Sequence, residues 1–96
     1  MPRIKWSPRA LDDVVRLHGF LAEKSPEAAR RAVQAIQEGT RLLTTHPEIG
    51  RVVDELPSEL REWIIEFGQG GYIARYSYDG KQVVILAVRH GREAGY

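Results

Sequence analysis

The apolar residues of this chain change their period once, near residue 60, and that change limits the fold more than any other feature. Before it they recur at spacings of three and four; after it they alternate. A short alternation, Arg3-Ile4-Lys5-Trp6, predicts an opening strand. Ser7-Pro8 then reads as a helix start, a serine N-cap with proline at the first helical position. The helix that follows places Leu11, Val14, Val15, His18 and Leu21 on one face, with Asp12 and Asp13 early enough to complement its dipole. Ser25-Pro26 repeats the start signal. Ala29, Ala32, Val33, Ile36 and Leu43 make the second stripe, which His46-Pro47 ends. So short a connection between two helices forces an antiparallel hairpin.

Residues 47–60 hold two prolines and a glycine and read as a surface connection. Trp63, Ile65 and Phe67 then alternate with Glu62, Ile64 and Glu66. Gly68-Gln69-Gly70-Gly71 marks a turn, and Tyr72, Ala74, Tyr76 and Tyr78 alternate with Ile73, Arg75 and Ser77. Asp79-Gly80 predicts a tight hairpin with positive φ at both residues. The near-continuous apolar run 83–88 predicts a central strand covered on both faces. The expectation is one α+β domain over residues 1–96, ordered β-α-α-β-β-β, with the helical hairpin on one face of a mainly antiparallel four-stranded sheet.

Composition removes several chemistries. With no cysteine there are no disulfides, no Cys-ligated zinc and no thiol nucleophile. His18, His46 and His90 lack metal-ligand spacing, and His18 reads as a semi-buried residue of the first helix. No cofactor-binding glycine loop, G-x-S-x-G or paired-carboxylate pattern occurs. No apolar run suits a signal peptide or a membrane span, so the expectation is a soluble cytoplasmic domain without metal or cofactor. The formal net charge is +1, but it divides into +3 over residues 1–46, −4 over 47–66 and +2 over 67–96. Eleven of the 14 basic residues are arginine, the side chain suited to carboxylates, phosphates and interfaces. Nucleic-acid and acidic-protein partners both stay open on this ground.

The cluster that could carry chemistry follows the last strand: Arg89, His90, Arg92, Glu93 and Tyr96, with Arg75 on the adjoining strand. Such groups are the ingredients of metal-independent RNA cleavage. A base takes the 2′-hydroxyl proton, arginine stabilises the phosphorane, and an acid protonates the leaving oxygen. They equally suit an interface, or a solvated tail paired with the acidic 47–66 segment.

Several stretches in order, W-S-P-R-A at 6–10, H-P-E-I-G-R at 46–51, L-R-E-W at 60–63, G-G-Y-I-A-R-Y at 70–76 and I-L-A-V-R-H-G-R-E-A-G-Y at 85–96, resemble the ParE/RelE toxin superfamily of bacterial type II toxin–antitoxin systems. The resemblance implies the fold above and a cognate antitoxin, ParD-like or related, laid across the hairpin and sheet. In the RelE-like branch, which cleaves mRNA on the ribosome, it implies lysines on the strand matching 63–67 and an arginine after the tyrosine of the G-Y motif. Here those places hold Ile64, Glu66 and Ile73. The R-H-G-R-E ending looks more like the ParE-like branch, which poisons DNA gyrase. The resemblance therefore implies a gyrase inhibitor, with Arg75, Arg89, His90, Arg92 and Tyr96 contacting target or antitoxin. The alternative is a RelE-like mRNA endonuclease using Arg75, His90, Arg92 and Tyr96.

Overall fold

Both serine caps form as the sequence predicts. Ser7 Oγ accepts from the Ala10 N–H at 3.0 Å, and Ser25 Oγ accepts from the Ala28 N–H at 3.1 Å. Helix α1 accordingly spans Pro8–Ala22 and α2 spans Pro26–Arg41. A computed structural model of the chain describes residues 2–93. Its strands are β1 (Arg3–Trp6), β2 (Arg51–Val52), β3 (Leu60–Ile65), β4 (Tyr72–Tyr78) and β5 (Gln82–His90), in the sheet order β1-β5-β4-β3-β2. The class is α+β, two helices on a mixed sheet. Only β1 and β5 are parallel; the other pairs are antiparallel.

Among the described residues five strands stand where four are expected. The additional one, β2, lies inside the 47–60 connection and pairs Arg51 with Glu62 and Val52 with Arg61. Two residues are too few to show a period, so the sequence hides it. Tyr76 supplies the reason this segment lies against the sheet. Its hydroxyl donates to the Pro47 carbonyl at 2.7 Å and accepts from the Gly50 N–H at 2.9 Å. A Cβ at Gly50 would come within 2.7 Å of the Tyr76 ring, so glycine permits the approach.

The core lies between the hairpin and one sheet face. Ala10, Leu17, Ala32, Ile36 and Leu43 meet Ile65, Tyr72, Ala74, Tyr76, Val83, Ile85 and Val88. The α1 stripe is therefore turned relative to expectation: Leu11 is 53% and Val15 71% exposed, and His18 is exposed rather than semi-buried. Alanine at position 10 lets α1 approach the sheet, and that approach selects the Ala10–Val14–Leu17–Leu21 face. Regular helix also stops earlier than His46-Pro47, at Arg41, and a single 3-10 turn covers Leu42–Thr44. At this same end of α2, Trp63 Nε1–H donates to the Gly39 carbonyl at 3.0 Å.

Two turn readings also change. At the β4–β5 hairpin only Gly80 has positive φ (93°). Asp79 holds the turn differently, its Oδ1 accepting from the Lys81 and Gln82 amides at 2.8 Å each. The run 83–88 is not covered twice. A register shift opposite Arg75/Tyr76 breaks its alternation, and Val84 and Leu86 are half-buried on a face that no described helix covers.

Tyr76→Phe removes both anchors of the 47–50 segment and strands a buried N–H. We expect a loss of about 1–3 kcal/mol in urea unfolding and a Tm lowered by more than about 4 °C. An unchanged denaturation midpoint would show that Tyr76 does not hold this segment.

Candidate functional site

Strand alternation separates the residues that the sequence placed in one patch. Tyr72 and His90 are cross-strand partners facing the helices, and their rings meet edge-on at 5.6 Å. Arg89 pairs with Ile73, and Arg75 with Glu62 and Ala87, on the opposite face. His90 and Arg92 thus belong to a groove beside α1, while Arg75 and Arg89 belong to the open face. Tyr96 lies outside the described residues.

The groove has a volume of about 780 Å³. Its floor is apolar: Leu17 and Leu21 from α1, then Phe67 stacked on Tyr72 at 5.8 Å. Phe20 stands at its lip, 67% exposed, with Lys24 Nζ 5.8 Å from the ring centroid. Arg16, His90 and Arg92 make the rim cationic or hydrogen-bonding. His90 Nδ1 accepts from the Arg92 N–H at 3.1 Å, so the neutral ring carries its proton on Nε2. The Arg92 guanidinium donates to Gln69 Oε1 at 2.9 Å and ties the last turn to the β3–β4 turn. The backbones meet closely there: a Cβ at Gly91 would collide with the Gly70 carbonyl oxygen.

The C-terminal turn is also fixed from the α1 side. Glu93 Oε1 accepts from the His90 N–H at 3.1 Å and from Arg16 Nη1 at 3.0 Å. Burial pushes the Glu93 carboxyl up, but the Arg16 and His90 donors outweigh it and hold it below the usual carboxylate range. One turn earlier, Asp13 Oδ2 accepts from the Val88 N–H at 2.9 Å. Asp13 therefore serves the sheet rather than the helix dipole. Arg89 Nη1 donates to the Glu93 carbonyl at 3.0 Å, closing the turn from the open face.

The open face holds an ion network that sequence reasoning missed. Glu62, only 5% exposed, accepts from Arg75 Nη2 at 3.1 Å and from Arg51 Nη2 at 3.2 Å, across three adjacent strands. Burial pushes its carboxyl up, but hydrogen bonds and charge from Arg75 and Arg51 prevail and hold it low. The register of the β3–β4 hairpin was the available signal, since it places Glu62 opposite Arg75. Arg75 of β4 thus pairs with the acidic 47–66 segment, while in the tail Arg92 donates to Gln69 and Arg89 to the His90 and Glu93 carbonyls. Among the described residues, no three His, Asp or Glu side chains are grouped to hold a metal ion. No described helix is long and apolar enough to cross a membrane.

This arrangement, a helical hairpin on one sheet face and an arginine-rich end to the last strand, defines a small toxin of the ParE/RelE type. Residues 4–95 match the family described as the ParE toxin of the type II toxin–antitoxin system parDE, and the chain belongs to that family. It is similar to toxin RelE3 of Caulobacter vibrioides, 32% identical over 93 residues covering 97% of this chain and 98% of the relative. Toxin RelE1 of the same organism is 36% identical over 87 residues, covering 91% and 90%. Among solved structures, the chromosomal ParDE toxin–antitoxin system from P. aeruginosa superposes with a TM-score of 0.76 at 27% identity, covering 94% of this chain and 96% of that one.

A carboxyl whose folded pKa is depressed contributes stability above its unfolded pKa, about 4.3, and loses it as pH falls through the folded value. Wild type should therefore lose Tm steeply below about pH 4. Glu62→Gln, which cannot titrate, should start lower at pH 7 but decline less between pH 5 and pH 2. Parallel declines in the two proteins would exclude Glu62 as a source of acid sensitivity.

Proposed function

We propose that this toxin inhibits DNA gyrase in the cytoplasm and is neutralised by a cognate, ParD-like antitoxin. One observation carries the choice of target. Ile64 and Ile73 are directly paired across β3 and β4, at the places where the resemblance implies cations in the mRNA-cleaving branch. An aliphatic pair neither holds ribosomal RNA nor neutralises a phosphorane. The division of the candidate nuclease residues supports the same reading. Arg75 is engaged with Glu62 on one face and His90 faces the helices on the other, so the two do not converge on one phosphate.

For the antitoxin, the groove beside α1 offers apolar anchors and a rim of Arg16, His90 and Arg92. An amphipathic, acidic segment that folds on binding suits it. Arg75 and Arg89 fall to the target side. The sequence ending at Tyr96 adds a further candidate contact. The solved ParDE neighbour supports an antitoxin partner, and the family matched is itself a parDE toxin family. The relatives called RelE give the mRNA endonuclease its standing as the second reading.

Purified toxin added to gyrase, ATP and supercoiled plasmid should accumulate covalent gyrase–DNA cleavage complexes. The same toxin should leave mRNA intact in a translating extract. Codon-positioned mRNA cuts that disappear in Arg92→Ala, with supercoiling unaffected, would replace this reading with the nuclease.

A further inference from the structure

We infer that the open face of the sheet is the surface by which this toxin grips its target, and that the target is a protein presenting acidic groups beside an apolar contact. The inference rests on the reading of the chain as a toxin acting on a protein. On that face the pairing register brings together Arg3 and Lys5 of β1, Arg89 of β5, Arg75 of β4 and Arg51 of β2. Against these stand two carboxylates: Glu62, which Arg51 and Arg75 already bracket, and the exposed Glu66, just past the end of β3 beside Ile64. A chain of formal net charge +1 thus concentrates five cations on one side.

The face is also aliphatic in part. Ile64 is 55% exposed where β3 runs on past the end of its pairing with β2, and Ile73 lies directly across from it. Exposed aliphatic side chains beside Arg75 and Arg89, with further cations across the same face, are the composition of a protein-binding patch, in which arginine is enriched and a few side chains dominate affinity. Charge complementarity selects the partner: an acidic surface is attracted and steered, whereas a second copy of this face would set five cations against five.

Nucleic acid fits less well. Single strands are held on sheets by aromatic stacking, and every strand aromatic here, Trp6, Trp63, Tyr72, Tyr76 and Tyr78, has an inward-facing register partner or lies in the core. Among the described residues, the strand rings are on the helix side, and the open face of the strands has charge but no stacking platform.

Two variants test the surface: Ile64→Glu at its most exposed aliphatic side chain, and Arg3→Glu with Lys5→Glu at the opposite edge. Val15→Glu, on the outward side of α1, is the control. Each is checked for folding by thermal melting, then assayed for growth inhibition on induction and for gyrase cleavage complexes. Either surface variant, once folded, should need roughly tenfold more toxin for half-maximal effect, the loss typical of removing one favourable interface contact or charge pairing, while the control keeps wild-type potency. The edge variant carries the test should Ile64→Glu fail to fold. Wild-type potency in the folded surface variants overturns the inference. So does tight binding of wild type to a labelled single-stranded RNA or duplex DNA that these substitutions abolish. If wild type leaves gyrase untouched but the surface variants still lose growth inhibition, the gyrase reading falls and the surface stands with another protein target.

Discussion

Strand β5 is nine residues long, and β1, its parallel neighbour, is four. The mismatch leaves the Val88 and His90 amides without a strand on that side, and an unpaired N–H costs about as much as a lost hydrogen bond when water is excluded. Ser7 continues the pairing briefly, its N–H donating to the Ile85 carbonyl and its Oγ–H to that of Leu86. Beyond it, the carboxylates of Asp13 and Glu93 complete the edge. Because one belongs to α1 and the other to the C-terminal turn, satisfying β5 also sets where both lie. Arg16, at 3.0 Å from Glu93 and 3.8 Å from Asp13, joins them. The groove beside α1 takes its shape from this edge.

Much of the fold is legible in the sequence because its signals are local. Ser-Pro pairs predict both helix starts, and the change of period predicts the helical hairpin and the three-strand meander. What the sequence conceals depends on distant partners. Which side of α1 faces inward follows from Ala10 meeting the sheet, not from the amphipathic stripe, whose Leu11 and Val15 remain in solvent. Strand β2 exists because Tyr76, 26 residues from Gly50, reaches back to it. Asp79 makes its turn through a side-chain acceptor that dipeptide signals do not distinguish from a type I′ turn.

The candidate site was legible as a list of residues but not as a place. Adjacent residues in a strand point to opposite faces, so Arg89 and His90 part company at once. Their separation leaves a groove with aromatic walls on one side of the sheet and an ion network on the other. Glu62 escaped notice because an acidic residue in an alternating strand reads as solvent-facing. Only the flanking strands, each supplying an arginine, make its burial tolerable.

The parallel pairing of β1 with β5 also bears on how the toxin acquires its structure. Ser7 bonds to Leu86 across 79 residues of chain, so the first strand has no sheet partner until β5 has been made. On the ribosome, α1 and α2 can pair early, but the apolar face of β1 stays uncovered until β5 emerges. Such long-range closure slows folding because the loop entropy is lost before the contacts form. The full sheet therefore closes only once β5 is available to pair with β1. A nascent chain stalled before β5 lacks the strand that supplies His90 to the groove and Arg89 to the open face.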